Sequence, residues 1–243
     1  AGYISRSALY LLLHEETDSG RQVRLVDRIT EEGVLRNPPI VARTGGSGKY
    51  LLLDGANRVA ALDILEVPHL LVQVEDYQDP ELRLSHWNHV LRRAEAETLV
   101  DMIHSIPGIF ALEASSSSSG PREEERHYLC TIHGDENGTI QFYGGRSVPE
   151  RVRYLKRICH LYYHGCGRID RVNHADTAAL KKRHEDFGGL IVYRDFSKEE
   201  IRRTAEREDP LPSGITRFLL PQRVLGFNVP LELMKAKDPA GEK

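Results

Sequence analysis

At 243 residues the chain can form one larger domain or two small ones, and its 40% hydrophobic and 28% charged content excludes wholesale disorder. A net charge of −3 and a pI near 6.4 give no electrostatic case for nonspecific nucleic-acid binding. No apolar run approaches the roughly 18 residues of a bilayer span, no basic-then-apolar signal pattern opens the chain, and Cys130, Cys159 and Cys166 make no disulfide framework. A reducing cytoplasm is therefore the expected compartment.

Residues 8–13, ALYLLL, predict a first strand, ended abruptly by the polar His14-Glu15-Glu16. After a loop at 17–20, residues 21–32 place Val23, Val26 and either Ile29 or Thr30 on one helical face, and Gly33 predicts the stop. Asn37-Pro38-Pro39 forces extended backbone into a strand at 40–43. The run TGGSGK at 44–49 invites comparison with a phosphate-binding P-loop, but it precedes a strand and Tyr50 replaces the hydroxyl residue. It predicts a hairpin turn.

The next stretch, YLLLDGANRVAAL at 50–62, is the most informative in the chain. Residues 50–53 predict a buried strand, Asp54-Gly55 a turn, and Asn57-Arg58 open a helix with Val59, Leu62 and Leu65 on one face. A strand that turns sharply into a helix leaves the first N–H groups of that helix unpaired, and with the helix dipole they favour a phosphate. Arg58 opposes that dipole, which makes sense if it faces an anion. An ordinary strand-turn-helix corner with a surface arginine, Asp54 serving only as a cap, fits the same residues.

Residues 68–75 predict another strand, so that 8–77 read as strand, helix, strand pair, helix, strand. A polar connection at 79–88 holds the only tryptophan, Trp87; taken alone it is core or interface as readily as a ligand platform. A helix follows at 94–105, stopped by Pro107, and then a serine-rich, low-complexity insertion at 114–126. Residues 128–132 and 139–143 predict a hairpin closed by 135–138. Ser147 and Glu150 form a capping box for a helix at 147–162, with Val148, Val152, Leu155, Cys159 and Tyr162 as one stripe and Gly165 as the stop. A second helix at 174–187 is read as ending at Gly188-Gly189, followed by a strand at 190–193 and a third helix capped by Ser197 and Glu200. Segments 214–220 and 224–228 and an apolar tail at 229–234 close the chain. Cys166, after His164-Gly165, reads as a small thiol at a helix end more readily than as metal or redox chemistry, and no structural zinc site is expected. His86, His89 and His164 read as surface histidines, Glu15 and Glu16 as solvated carboxylates, and Arg217 as an exposed strand residue.

The ordered spacing of HEE, the helix ending at Gly33, NPPIV and the strand leading into DGANR resembles the ParB/sulfiredoxin fold, whose members bind nucleotide phosphates at a D-G-x-H-R or equivalent turn. No cysteine stands between Asp54 and Arg58, so the sulfiredoxin nucleophile is missing, and no basic helix-turn-helix follows, which disfavours a chromosome-partition ParB. The remaining chain resembles the free L-serine kinases, archaeal and siderophore-cluster, in SHWNH (85–89), YYHGCGRIDRV (162–172) and PSGITRFLLPQRVLGFNVPLELMK (212–235).

This resemblance implies a mixed α/β (α+β) fold, with a ParB/sulfiredoxin-like nucleotide-binding domain at 1–80 and a smaller α/β substrate domain at 81–243, forming a cleft. It implies phosphorylation of free L-serine to O-phospho-L-serine with Mg²⁺ and a nucleotide; ATP and ADP are both admitted, because a phosphate cradle recognises the anion and not the chain length. Glu15 then matches the catalytic glutamate of a His-Glu pair, and Asp54 the catalytic, metal-holding aspartate. Gly55, Ala56, Asn57 and Arg58 match the phosphate-binding turn, and Trp87, Thr216 and Arg217 the serine pocket, Arg217 pairing with the carboxylate. Asn57 departs from the usual histidine: it can donate a hydrogen bond but cannot carry charge near neutral pH. The relatives imply a product that feeds a pyridoxal-phosphate synthase making 2,3-diaminopropionate, or a cysteine pathway. No nucleic-acid or membrane partner is expected. A catalytically silent nucleotide-binding regulator is the alternative: Glu15 and Asp54 argue against it, and Asn57 mildly for it.

Overall fold

The computed structural model describes residues 2–5, 10–44, 49–93, 96–113, 127–134, 138–165 and 168–236. Residues 45–48 of the first predicted hairpin turn, 135–137 of the second, the insertion at 114–126 and Cys166 lie outside them, as does the side chain of His164. The chain runs β1 (Gly2–Ser5), β2 (Tyr10–Leu13), α1 (Ser19–Glu32), β3 (Val34–Leu35), β4 (Ile40–Arg43), β5 (Lys49–Asp54), α2 (Ala56–Ile64) and β6 (His69–Asp76). It continues with β7 (Arg83–His86), β8 (Asn88–Arg92), α3 (Ala96–His104), β9 (Ile109–Glu113), β10 (Tyr128–Gly134), β11 (Thr139–Gly144) and α4 (Val148–Gly165). The last elements are β12 (Arg168–Val172), α5 (Thr177–Arg183), β13 (Phe187–Tyr193), α6 (Lys198–Glu206), β14 (Thr216–Leu219), β15 (Val229–Pro230) and α7 (Leu231–Lys235). The fold is mixed α/β, and no helix among the described residues is long and apolar enough to cross a membrane.

Contacts divide the chain into two units. The first comprises Ala1–Leu84, Ile201–Ser213 and Phe218–Lys243, so the C-terminal segment folds back into it. The second comprises Ser85–Glu200 and Gly214–Arg217.

The first unit is built on a five-stranded sheet in the order β1-β6-β4-β5-β2. Strands β4 and β5 pair antiparallel, while β2 runs parallel to β5 with Leu13 opposite Leu52. That register brings the carboxyl ends of β2 and β5 to the same edge, where α1 and α2 begin. Asp18 caps α1 by accepting the Arg21 N–H at 3.0 Å, and Gly33 ends it at φ 65° with its N–H on the Ile29 carbonyl. The buried side of α1 is Leu25, Val26 and Ile29; Val23, expected on that face, is 60% exposed. Ile29, Leu52, Val59, Leu62 and Leu70 form the core, closed by Val229, Leu231 and Met234 from the C-terminal segment.

The second unit carries a six-stranded antiparallel sheet in the order β12-β8-β13-β10-β11-β9. Helix α4 starts in the expected capping box, the Ser147 N–H on Glu150 Oε2 at 3.2 Å and the Glu150 N–H on Ser147 Oγ at 3.4 Å. It buries Val152, Leu155, Cys159 and Tyr162. Arg92 at the end of β8 holds Asp170 of β12 at 2.8 Å and Asp186 at 2.5 Å, and these hydrogen bonds keep both carboxyls below their ordinary range.

Two predicted elements differ. The polar connection at 79–88 contains β7 and the first residue of β8, because short edge pairing needs little hydrophobic alternation. The helix expected at 174–187 covers only Thr177–Arg183, and Phe187 already belongs to β13. Its supposed stop, Gly189, is a strand residue: a Cβ there would come within 2.7 Å of the Ala96 Cβ, so the glycine lets α3 lie close on the sheet.

Candidate active site

At the shared carboxyl edge of β2 and β5, Glu15 and Asp54 each follow the paired residues Leu13 and Leu52 by two positions. Asp54 is the last residue of β5, whereas Glu15 lies two residues beyond β2, in an isolated parallel bridge to Leu211. The backbone around Glu15 is fixed from the C-terminal side of the chain: the Glu16 N–H donates to the Leu211 carbonyl and the Leu211 N–H to the His14 carbonyl, both at 2.7 Å. His14 is buried, its ring edge-on to Phe218 at 5.4 Å, with Nδ1 2.7 Å from the Leu52 carbonyl. A carbonyl only accepts, so Nδ1 carries the proton.

Burial holds the His14 imidazole below its ordinary 6.5. A histidine whose folded value is depressed resists protonation only in the folded chain, so its contribution to stability is intact above 6.5 and is lost as pH falls below it. The thermal midpoint is therefore expected to drop between pH 7 and pH 5.5. His14→Asn, whose Nδ2 can donate to the same carbonyl, flattens the drop. Burial also holds His133 low, so part of the slope persists.

The turn after β5 is shaped for α2. Gly55 precedes the helix at φ 104° and, as the N-cap residue, offers no side chain to cap it. A Cβ on Gly55 would lie 3.0 Å from Arg58 Nη2 and 3.1 Å from Pro39 Cβ, so both conformation and space require glycine. The N–H groups of Ala56, Asn57 and Arg58 have no intrahelical acceptor, which leaves a positive helix end for an anion. The Asn57 Oδ1 accepts the Asp18 N–H at 2.7 Å, tying the start of α1 to the start of α2.

Arg58 does face an anion, and that anion is Asp54. Its Nη2 donates to Asp54 Oδ2 at 2.7 Å, while Nη1 donates to the carbonyls of Asn37 at 2.8 Å and Pro38 at 3.1 Å. Asp54 Oδ2 also accepts from Arg223, which the sequence did not single out. Arg223 is anchored on either side through Gln73, which donates to the Gln222 carbonyl at 3.0 Å and accepts the Val224 N–H at 2.9 Å. Among the described residues no three His, Cys, Asp or Glu side chains gather as a metal cage. A lone Asp54 with one oxygen engaged suits a hard cation that arrives on phosphate oxygens, not one caged by protein.

In the second unit, Trp87 and the segment Gly214–Arg217 come together. The Trp87 N–H donates to the Ile215 carbonyl at 2.7 Å, the Arg217 guanidinium lies 4.5 Å from the Trp87 ring centre, and Thr216, between Ile215 and Arg217, is buried. Of the histidines read as surface groups, His86 is half-buried and holds Asp195 at 2.7 Å, whereas His89 has no exposed surface. β8 buries Asn88, His89, Val90 and Leu91 in succession, so no alternation marks His89 as a core residue.

These features define a mixed α/β protein with a phosphate-shaped strand-turn-helix corner flanked by two carboxylates. No family model matches the chain. In sequence it is similar to the ATP-dependent L-serine kinase of Staphylothermus marinus, 27% identical over 226 residues, 93% of this chain and 88% of that one. The ATP-dependent L-serine kinase SbnI of Staphylococcus aureus is 23% identical over 226 residues, 93% of this chain and 81% of that one. Among solved structures, a free serine kinase in complex with AMP superposes with a TM-score of 0.75 at 18% identity, covering 96% of this chain and 92% of that one. C-terminally truncated SbnI from Staphylococcus aureus gives 0.72 at 22% identity, covering 98% and 90%. The chain is thus similar in sequence to ATP-dependent L-serine kinases over nearly its whole length, and it shares the fold of the free serine kinase structures.

Proposed function

We propose that the protein is a kinase that transfers the terminal phosphoryl group of ATP to the hydroxyl of free L-serine, giving O-phospho-L-serine. The observation that carries this reading is that Glu15, just past β2, and Asp54, at the end of β5, follow the same carboxyl edge of two paired parallel strands, with Asp54 leading directly through Gly55 into the start of α2. Similarity to ATP-dependent L-serine kinases over 93% of the chain supports it.

Phosphoryl transfer asks mainly for alignment and charge stabilisation. The serine oxygen forms a bond to the terminal phosphorus as the bond to the leaving nucleotide oxygen breaks, and the hydroxyl proton passes to a positioned carboxylate. Glu15 is assigned that proton, on backbone locked by Leu211. The N–H groups of residues 56–58 and the Arg58 guanidinium hold phosphate oxygens, with Gly55 keeping the approach open. Asp54 Oδ1 is assigned Mg²⁺, which when bound neutralises phosphate charge. Asn57 contributes less as a proton carrier than as the tie to Asp18. The first unit is thus assigned the nucleotide and the second the amino acid, with Arg217 for its carboxylate, Trp87 and Thr216 framing the rest. The product carries phosphate as a leaving group on Cβ, which suits a pyridoxal-phosphate enzyme of β-replacement as its consumer, and the cytoplasm as the compartment.

The test is product analysis by mass spectrometry after incubation with Mg²⁺ and ATP and, in turn, L-serine, D-serine, L-threonine or a serine peptide. Phosphorylation of L-serine alone is expected. Nucleotide binding with no phosphorylated amino acid would leave a silent regulator in its place.

A further inference from the structure

The second unit holds a polar chain that the phosphoryl-transfer chemistry does not use. His89 on β8 and Tyr162 on α4 are fully buried, and Tyr193 on β13 and Cys159 on α4 are each 2% exposed. His89 Nε2 stands 2.8 Å from the Gly214 carbonyl oxygen. That oxygen only accepts, so Nε2 carries the proton. On the other side, Nδ1 faces the Tyr162 hydroxyl at 2.6 Å, and the Tyr162 and Tyr193 hydroxyls are hydrogen-bonded to each other. The Cys159 Sγ lies 3.2 Å from the Tyr162 hydroxyl. With Nδ1 accepting, Tyr162 donates to it and Tyr193 donates to Tyr162. The donors therefore point one way, from Tyr193 to Gly214. Burial raises both phenols well above their ordinary range, so they stay protonated donors near neutral pH. A buried network of this kind holds its members in one arrangement.

The chain of donors ends where the segment Gly214–Arg217 begins. Gly214 is left-handed at φ +79°, and the Arg171 guanidinium fills the place a Cβ would take. The next carbonyl, of Ile215, accepts the Trp87 N–H at 2.7 Å. Thr216 is buried after it, and Arg217 stacks on Trp87 at 4.5 Å. Two consecutive carbonyls are thus gripped from neighbouring positions of one stretch: Gly214 by the His89 side chain and Ile215 by the Trp87 backbone.

We propose that His89 is a positioning residue, whose Nε2–H fixes the Gly214 carbonyl and so sets Thr216 and Arg217 against Trp87. The inference rests on the assignment of those three residues to free serine. Its consequence is confined to the amino acid, because the phosphate-binding turn lies on other residues.

Trp87 is the only tryptophan in the chain, so its emission reports the Arg217 stack without any turnover. His89→Leu is expected to shift that emission and to raise the serine KM about tenfold or more, with the nucleotide KM within about twofold of the parent. His89→Gln, whose side-chain N–H can reach the same carbonyl, returns the emission and the serine KM to within about threefold. The Tyr193 hydroxyl reaches Nδ1 only at 3.4 Å, against 2.6 Å for Tyr162; Tyr193→Phe removes it, lowers the thermal midpoint and leaves both KM values in place, because Tyr162 still donates to Nδ1. An equal rise in both KM values, glutamine no better than leucine, or Tyr193→Phe raising the serine KM as His89→Leu does would each overturn the proposal. Should His89→Leu not fold, a glutamine variant that has lost the Arg217 stack overturns it equally. A parent protein that makes no phosphoserine removes the serine assignment, while the emission of the leucine and glutamine variants still decides whether His89 holds the segment.

Discussion

Replacing Glu15 by glutamine is expected to cut phosphoserine formation about a thousandfold, within the range that a positioned general base contributes. Glutamine keeps the shape of the side chain but has no site for the serine proton. The hydrogen bonds that fix this stretch run through the backbone of His14, Glu16 and Leu211, so the substitution leaves them intact. The thermal midpoint and nucleotide affinity are accordingly expected to match the parent. The loss therefore falls on kcat, with the serine and nucleotide KM values close to unchanged. A Glu15→Gln protein with more than about a tenth of parental kcat would mean that the proton leaves by another route.

Asp54→Asn is expected to have the next largest effect, a loss of about a hundredfold or more in kcat at saturating Mg²⁺, as expected when electrostatic stabilisation of the transferring group is removed. The substitution preserves volume and deletes one negative charge from a turn that holds Arg58 and Arg223 on a single oxygen. Both guanidiniums then lose their counter-charge. Nucleotide without Mg²⁺ should consequently bind the variant at least as tightly as it binds the parent, because the turn has become more positive. Isothermal titration with and without Mg²⁺ separates the two effects. Weaker Mg²⁺-free binding would show instead that Asp54 shapes the turn and does not serve the metal.

The corner around Asp54 is legible in the sequence because its determinants are local. Gly55 announces a positive φ, the apolar run before it a strand, and the Val59 and Leu62 spacing a helix. Local spacing does not carry the partners of the turn across the chain. Arg58 looks like a free cation for a ligand, yet it braces Asn37, Pro38 and Asp54. Arg223 approaches the same carboxylate from 169 residues away, a distance at which no pattern of spacing operates.

In the second unit the losses have similar causes. β9 exposes the apolar Phe110 and Leu112, and β12 mixes charged and apolar residues at half-buried positions, so neither shows apolar-in, polar-out alternation and their existence depends on pairing with β11 and β8. Gly188-Gly189 reads as a helix stop because glycine most often breaks local structure. Here Gly189 answers to the approach of Ala96, which is a tertiary demand. His89 escapes a sequence reading for the same reason: polar identity suggests the surface, while the residues that satisfy it, Tyr162 and Gly214, are 73 and 125 positions distant.

The central claim is tested most directly by phosphorus NMR of the parent protein with Mg²⁺, L-serine and ATP, beside a second sample in which ADP replaces ATP. The expected result is a growing phosphomonoester resonance that matches added O-phospho-L-serine, formed in step with loss of the terminal phosphate of ATP and absent with Glu15→Gln. Release of inorganic phosphate alone, or unchanged nucleotide in both samples, would contradict it.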